Sequence, residues 1–379
     1  MNSETIYIII LLFLCADFIF ERFLEGLNIR AMSPVLPEKL KGIYDEKEYK
    51  RFQSYKKENN RFGLISSAFS FTVTVLFLAA GGFGLYNDWI VSRTDSILWQ
   101  TLFFMLGLSV VSTLLEMPFS WYATFRIEEK YGFNKSTLNT WITDAVKGVF
   151  LSLIIGGLIL SAVVGFYLWT GSRFWIYAWV LISLFSIFMA MFYSRLIVPL
   201  FNKQSPLQAG SLRDKIEAFA SRTGFRLKNI YVIDGSKRST KANAYFTGFG
   251  AEKRIVLYDT LLQDLTEEEI VAVLAHEIGH YRKKHTLKFM SASILQTGFM
   301  LWLFSLLVNI QAFSEALGSD RAYFQLGLVT FAILYSPVSM LLGICMNIWS
   351  RKNEYEADAF ATRHNEGEAL VSGLKKISV

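Results

Sequence analysis

Seven long apolar runs constrain the fold of this 379-residue chain more than any other feature of its sequence. Each run is near the ~20 residues with which an α-helix crosses the hydrocarbon core of a bilayer. Because lipid offers the backbone no hydrogen-bond partners, such runs fold as membrane-spanning helices. Charged residues make up only 18% of the sequence, below the ~25% of soluble domains. The predicted spans are residues 5–24, 63–86, 99–121, 148–171, 174–195, 287–310 and 322–349.

Basic residues alternate between the segments that connect these spans. The first connection holds nine Lys and Arg residues, and the third and fifth are also basic. The second, fourth and sixth hold one each, namely Arg93, Arg173 and Arg321. Because Lys and Arg accumulate in cytoplasmic loops, the odd connections and the carboxyl terminus are predicted to be cytoplasmic. The net charge of +6 therefore reflects membrane topology, and no nucleic-acid partner is expected.

The fifth connection contains the sequence His-Glu-Ile-Gly-His at residues 276–280. On an α-helix, residues i and i+4 lie ~40° apart around the axis. His276 and His280 therefore project from one face and can share a tetrahedral zinc ion. Glu277 lies beside the pair and can take a proton from a metal-bound water as the catalytic base.

The residues before this motif predict the helix that it needs. Thr266 and Glu269 form a capping box ahead of an apolar run. Two alternatives remain open for the motif, which are a chance occurrence and two ordinary solvent-facing histidines. The other two histidines, His285 and His364, are expected to be surface or helix-end residues, with His364 also considered as an oxyanion partner.

A catalytic zinc site usually takes three protein ligands and keeps one position open. Just after the last span, Glu354 and Asp358 are again four residues apart and share one helical face. Glu354 is predicted to be the third ligand of one zinc ion per chain. Asp358 is predicted to accept the N–H of a ligating histidine and so to fix its orientation. Glu356 points ~200° away from Glu354 and is the weaker ligand candidate, and a solvated acidic face is the alternative for all three.

The rest of the fifth connection predicts a small mixed domain around the motif. Residues 211–222 form an amphipathic helical pattern, and residues 229–233 and 254–258 have the composition of strands. The segment 244–250 between them is rich in aromatic residues and glycine. A small sheet beside the motif helix is therefore expected.

Six short segments distributed along nearly the whole chain carry a resemblance to a known family. They are Pro37-Glu38 with Gly42-Ile43-Tyr44-Asp45, then residues 127–135, 199–203, 243–246, 276–280 and 354–358. With these segments the chain resembles the type I CAAX prenyl proteases, which are integral-membrane zinc metallopeptidases. Their combination is far more specific than the histidine motif alone.

This resemblance implies seven helices around an intramembrane chamber, with the zinc site at its cytoplasmic or nucleoplasmic end. It also implies cleavage after the prenylated cysteine of a CAAX tail. Asn243, Ala244 and Tyr245 match the family's Asn-Ala-Tyr/Phe stretch. This stretch is expected to bind the substrate backbone as an edge strand, although Asn243 can also simply satisfy a turn. Family members usually continue beyond the position of Val379 into a His-Pro segment, so no residue is assigned to the oxyanion role.

Three acidic residues at or near membrane depth point to a hydrated interior. Such residues usually face water or a partner, and these three are Asp17, Glu21 and Glu116. We therefore predict a water-filled cavity that opens beside His276 and Glu354. A position at the membrane interface is the alternative for Glu21.

The predicted fold is mainly α, a polytopic membrane protein of seven transmembrane helices around a chamber with a small α+β zinc-metallopeptidase domain. The chain is divided into residues 1–195 with spans one to five, 196–286 with the motif helix, 287–349 with spans six and seven, and 350–379 with the third ligand. We expect a monomer in a lipid bilayer that acts on a peptide or prenylated protein. A prokaryotic plasma membrane is favoured over endoplasmic reticulum.

Two other functions are also compatible with these patterns. A membrane quality-control metalloprotease would carry the same motif, whereas a transporter or non-enzymatic chamber protein would not need the base Glu277.

Overall fold

The computed structural model describes residues 2–36, 38, 45–225, 229–248, 254–364 and 366–377. Within these residues the helices are α1 (Ser3–Ala31), α2 (Glu46–Ala79), α3 (Gly82–Val91), α4 (Ile97–Tyr122), α5 (Leu138–Thr170), α6 (Phe174–Leu196), α7 (Val198–Phe201), α8 (Ser211–Arg222), α9 (Asp259–Asp264), α10 (Glu267–Arg282), α11 (His285–Leu307), α12 (Gln311–Glu315), α13 (Phe324–Arg363) and α14 (Gly367–Ile377). The strands are β1 (Gln204–Pro206), β2 (Asn229–Ile233), β3 (Ala244–Thr247) and β4 (Arg254–Tyr258).

Each of the seven predicted spans lies on a long helix, namely α1, α2, α4, α5, α6, α11 or α13. By length and composition, six segments of the described chain can cross a membrane, and one of these, Leu138–Phe201, comprises both α5 and α6. A single 3₁₀ turn, Gly171–Arg173, separates these two helices, and Gly171 has a φ of 56° there. The prediction of a mainly α, polytopic membrane protein is confirmed.

The second predicted span, residues 63–86, differs from the observed helix. The helix α2 begins at Glu46 and ends at Ala79, and Gly81 turns the chain with a φ of 67° into α3. A β-carbon on Gly84 would lie 2.2 Å from the carbonyl oxygen of Gly318. The break therefore lets α3 pack against the loop that precedes α13, which hydropathy alone does not reveal.

The connections with few Lys and Arg residues meet at one end of the helices. The side chain of Gln325 donates a hydrogen bond to Asn87 Oδ1 at 2.7 Å, and Tyr167 donates one to Asn309 Oδ1 at 2.6 Å. These bonds join the connection after α2 to α13, and the end of α5 to the loop after α11. Alternate connections thus come together, as the alternation of basic residues predicts.

The basic connections meet at the opposite end, around the segment that leads into β3. Lys241 pairs with Glu128 at 2.8 Å, and Arg238 pairs with Asp144 at 2.7 Å. Glu128 ends a π-helical segment that continues α4, and Asp144 lies in the first turns of α5. The small domain is therefore bound directly to two of the membrane helices.

The four strands form a sheet in the order β1-β2-β4-β3. Strands β2 and β4 are parallel, and β3 pairs antiparallel with β4 at the edge of the sheet. Side chains alternate along β3. Ala244 and Phe246 pack in the core with α10, whereas Tyr245 packs with Val198 and Tyr258 in a second cluster. The expected small sheet beside the motif helix is confirmed.

The predicted boundary between residues 349 and 350 falls inside α13. This helix runs for 40 residues without interruption, so the last span and the segment with Glu354 are one element. The proposed division into four parts stays a prediction. Of the segments that carry the family resemblance, residues 37 and 42–44 lie outside the described residues. Phe249 and Gly250 of the predicted aromatic segment 244–250 also lie outside them.

Single cysteines test the two ends of the helices. In a variant without native cysteines, Lys57→Cys and Lys283→Cys should share one accessibility to an impermeant thiol reagent in sealed vesicles of known orientation. Arg173→Cys and Asp320→Cys should show the opposite accessibility, because all four side chains are exposed and the two pairs lie in odd and even connections. Equal labelling of all four sites from one side would contradict the topology.

Candidate metal centre

The helix α10, which carries the histidine motif, is fixed at its first residues. Thr266 N–H donates to Glu269 Oε2 at 2.8 Å, and Glu269 N–H donates to Thr266 Oγ1 at 3.3 Å, which completes the predicted capping box. An N-cap of this kind stabilises a helix by about 1 kcal/mol. Glu269 also accepts hydrogen bonds from Ser372 and Lys376 of α14, at 2.7 and 2.8 Å. The start of the motif helix is therefore held by its own cap and by the last helix.

The helices α10 and α13 approach closely at Gly279. A β-carbon on Gly279 would lie 3.1 Å from the Cα of Ala357 and 3.2 Å from its carbonyl oxygen. Such contacts are tighter than ordinary van der Waals distances, and backbone atoms cannot move aside as a flexible side chain can. Ala357 and Ala361 are fully buried in this contact region. Small residues on both helices thus bring Glu354 towards the two histidines.

Three ligand atoms converge at this crossing. His276 Nε2 lies 3.1 Å from His280 Nε2, 3.4 Å from Glu354 Oε2, and His280 Nε2 lies 3.6 Å from the same oxygen. Ligands that bind a tetrahedral zinc at about 2.0–2.1 Å are ~3.3–3.4 Å apart. The triangle therefore has the size of three corners of a zinc tetrahedron. The Glu354 side chain is 54% exposed, so this side of the triangle is accessible to solvent.

Asp358 lies behind His276, as the sequence predicts. His276 Nδ1 and Asp358 Oδ1 are 2.8 Å apart. Because a carboxylate only accepts, the proton of His276 is held on Nδ1, and the lone pair of Nε2 points to the centre of the triangle. This is the usual arrangement behind a metal-binding histidine.

Glu277 lies beside the triangle in surroundings that favour its protonated form. Burial raises the pKa of Glu277 to about 6; the nearby His276 opposes this shift, and the Glu354 carboxylate adds to it. A carboxyl group with this pKa is well suited to accept and return a proton near neutral pH.

His285 belongs to the same cluster, which the sequence did not reveal. Its Nδ1 lies 3.1 Å from His280 Nδ1, and its Nε2 lies 3.3 Å from Glu356 Oε2. His285 begins α11, which is the helix-end alternative of the prediction, and its side chain is only 1% exposed. Burial lowers the pKa of His280, and the neighbouring His276 and His285 lower it further. His364 lies apart and bonds to the carbonyl oxygen of Phe360 at 2.8 Å.

The predicted substrate-binding residues lie at the edge of the sheet. Asn243 is exposed, and its carbonyl oxygen accepts the N–H of Tyr258 at 3.0 Å. Ala244 and Phe246 face α10, whereas burial against Tyr258 and its neighbours raises the pKa of Tyr245. The Tyr245 side chain thus points to the opposite face of the sheet from the motif helix. Any contact of Tyr245 with a peptide would be made by its backbone.

A cavity of about 700 Å³ lies among the membrane helices. Its lining includes Asp17 and Glu21, together with Tyr335, Ser336 and Ser339 of α13. Asp17 and Glu21 of α1 therefore border this cavity, and its filling by water stays a prediction.

The third predicted acid, Glu116, and the ligand residues lie away from this cavity. Glu116 is exposed on α4, but neither it nor any of the three ligand residues contributes to the lining of this cavity. The opening of the cavity beside His276 and Glu354 stays a prediction.

Two family models together match nearly all of the chain. Residues 27–203 match the model described as CAAX prenyl protease N-terminal, five membrane helices. Residues 206–378 match the model of peptidase family M48. The second model includes α10, α11 and α13, and hence every residue of the triangle.

Curated relatives and a solved structure are similar over almost the same length. The chain is 35% identical to CAAX prenyl protease 1 homolog of Oryza sativa, covering 97% of this chain and 89% of the relative. It is 33% identical to CAAX prenyl protease 1 of Saccharomyces cerevisiae, covering 97% and 87%, and 31% identical to the Homo sapiens homolog, covering 99% and 89%. The crystal structure of S. mikatae Ste24p superposes with a TM-score of 0.91 at 33% identity, covering 98% of this chain and 92% of that one.

Removal of one corner of the triangle tests the candidate metal centre. Glu354→Ala should lose nearly all bound zinc, because two histidines alone do not complete a site. Metal analysis of the purified protein measures this loss. Glu368→Ala, which removes an exposed acid from α14, is the matched control and should keep one zinc per chain. Full zinc content in Glu354→Ala would show that another residue is the third ligand.

Proposed function

The chain belongs to peptidase family M48 and its CAAX prenyl protease branch, and we propose that it is a zinc-dependent membrane endopeptidase that removes the carboxyl-terminal tripeptide from prenylated CAAX proteins. The observation that carries this proposal is the triangle of His276, His280 and Glu354 with the buried Glu277 beside it. Similarity over nearly the whole chain to relatives named CAAX prenyl protease 1 supports the substrate class.

The donor set fits zinc. Two neutral imidazoles and one carboxylate are typical ligands of catalytic zinc, and the group is compact, with all ligand atoms within 4.8 Å of one another. A zinc ion bound there would supply Lewis acidity, which activates water and polarises a carbonyl group.

Glu277 is proposed as the general base. Its carboxylate would accept the proton of the attacking water and then return a proton to the leaving amine. Partial burial raises the pKa of Glu277 to about 6, which suits this cycle near neutral pH. Asp358 would hold His276 in the ligating tautomer throughout, at the observed 2.8 Å.

The edge strand β3 is proposed to bind the substrate. One side of β3 pairs with β4, and its other side is the edge of the sheet, where an extended peptide can add as a further strand. The exposed amide of Asn243 would contact the peptide backbone, and the backbone of Ala244 and Tyr245 would provide the strand hydrogen bonds. These assignments rest on the resemblance and on the position of β3 against α10.

We propose that the site faces the cytoplasm, since the motif lies in a basic connection. The relatives described above come from eukaryotes, which weighs against the predicted prokaryotic plasma membrane. One chain can supply all three residues of the triangle without a second copy, and we propose a monomer. The quality-control and transport alternatives have no specific observation in their favour.

Cleavage of a farnesylated peptide tests the proposed function. The purified protein should release the last three residues of a farnesylated peptide with a CAAX tail, with both products identified by mass spectrometry. A zinc chelator should abolish the cleavage, and added zinc should restore it, because the ligand triangle is needed for catalysis. The same peptide without the farnesyl group is the control for lipid dependence. No cleavage of any lipidated tail by zinc-loaded protein would contradict the proposed substrate class.

Replacement of the proposed base separates zinc binding from catalysis. Glu277→Gln should keep one zinc per chain and lower kcat by ~10²–10⁴-fold, the usual contribution of a general base. Glu268→Gln is the matched control, because Glu268 is exposed on the same helix and pairs with Lys215. Turnover of Glu277→Gln near the rate of the unmodified protein would mean that another group acts as the base.

A further inference from the structure

His285 connects one candidate zinc ligand to a carboxylate outside the triangle. It is the first residue of α11 and is 1% exposed, although its ring carries two polar nitrogens. Both nitrogens have partners: Nδ1 lies 3.1 Å from His280 Nδ1, and Nε2 lies 3.3 Å from Glu356 Oε2. A buried polar ring with both nitrogens satisfied is costly to disturb and holds its partners in place.

With both histidine rings neutral, the contacts from Glu356 through His285 to His280 allow one consistent arrangement of protons. An ionised carboxylate only accepts, so His285 must carry its proton on Nε2 and donate it to Glu356. The Nδ1 of His285 is then an acceptor, and His280 must donate to it from Nδ1. The Nε2 of His280 is left with its lone pair, and this is the atom that lies at the corner of the ligand triangle.

For His276, a single direct contact with a carboxylate fixes the same tautomer. Asp358 accepts directly from His276 Nδ1 at 2.8 Å and leaves Nε2 as the ligand atom. Each candidate zinc histidine is thus oriented by a carboxylate of α13, one directly and the other through His285. Orienting partners of this type commonly change metal affinity by ~10–100-fold.

The turn between α10 and α11 brings His285 into contact with His280. Lys284 has a φ of 59°, and it is the one residue other than glycine with a positive φ in the described part of the chain. This left-handed conformation costs about 1–2 kcal/mol for a residue with a side chain. It lets α11 begin one residue after the turn, so that a side chain only five residues after His280 reaches back to it.

We propose that His285 and Glu356 form a positioning relay that fixes the tautomer and ring orientation of His280 for zinc binding. The relay rests on the proposed zinc function, and neither residue is a ligand. The relay strengthens zinc binding and sets the geometry of the site, while the reacting atoms are contacted by other groups.

Zinc affinity, measured by chelator competition on the purified full-length protein, tests the relay. His285→Asn and Glu356→Ala should each weaken zinc binding by ~10–100-fold while one zinc per chain still binds at saturation. In cobalt-substituted protein, both variants should shift the visible absorption bands, because the ring of His280 is no longer held in one orientation. His364→Asn is the matched control, since the His364 ring bonds to the backbone carbonyl of Phe360 and lies apart from the ligand triangle, and it should change neither measurement.

A double variant separates a relay from two independent effects. Once His285 is replaced, Glu356 has lost its link to His280, so His285→Asn with Glu356→Ala should bind zinc no more weakly than His285→Asn alone. Additive losses would overturn the relay. Thermal unfolding of the metal-free proteins checks folding, and the partly exposed Glu356→Ala remains the test if His285→Asn does not fold.

Each remaining outcome also decides the question. If Glu356→Ala loses zinc altogether, as expected of Glu354→Ala, Glu356 is a ligand and the relay is wrong. If both single variants keep the affinity and the cobalt spectrum of the unmodified protein, the contacts are only structural and the relay is wrong. If the unmodified protein itself binds no zinc, the proposed function fails together with the relay.

Discussion

The contact between α10 and α13 at Gly279 is the constraint on which the site depends. The two histidines are one helical turn apart in any helix, but the third corner, Glu354, lies more than 70 residues later in the sequence. It reaches them because Gly279 lies against the backbone of Ala357, with no room for a β-carbon at ordinary distances. A larger residue at either position would separate the helices and widen the triangle, whatever the ligand residues were.

One short stretch of α13 contributes the three acids that contact the histidine rings. Glu354 completes the triangle, Asp358 bonds to His276, and Glu356 bonds to His285. Glu354 and Asp358 share one face of the helix, whereas Glu356, two residues from each of them, leaves it in a different direction. Because one rigid helix carries them, their relative positions are fixed together, and a shift of α13 along its axis would disturb ligation and both orienting contacts at once.

Helical periodicity and capping were sufficient to predict the principal elements. The long apolar runs, the capping box at Thr266 and the spacing of the motif depend on neighbours in sequence, and the structure agrees with each of them. The break at Gly81 and the burial of His285 depend on contacts with distant segments, so the sequence could not reveal them. A cue did exist for His285, because it follows the motif by only five residues, yet the left-handed turn at Lys284 cannot be read from residue type. The angle of Glu356 from Glu354 on the helix disfavours direct ligation by Glu356, but it does not exclude a contact made through a second histidine.

The membrane helices are part of the site as well as its anchor. Between His280 and Glu354 the chain passes through α11 and α13, and an even number of spans is needed to return the third ligand to the same side. Near the site, Phe289 of α11 stacks on Trp349 of α13 with ring centroids 4.8 Å apart, which sets the register of the two helices. On the other side of the small domain, Lys241 and Arg238 bind the segment before β3 to Glu128 and Asp144 of the membrane helices. The proposed ligand triangle and the proposed substrate strand are therefore each positioned by the membrane part, and a soluble fragment that ended before α13 would lack a ligand as well as an anchor.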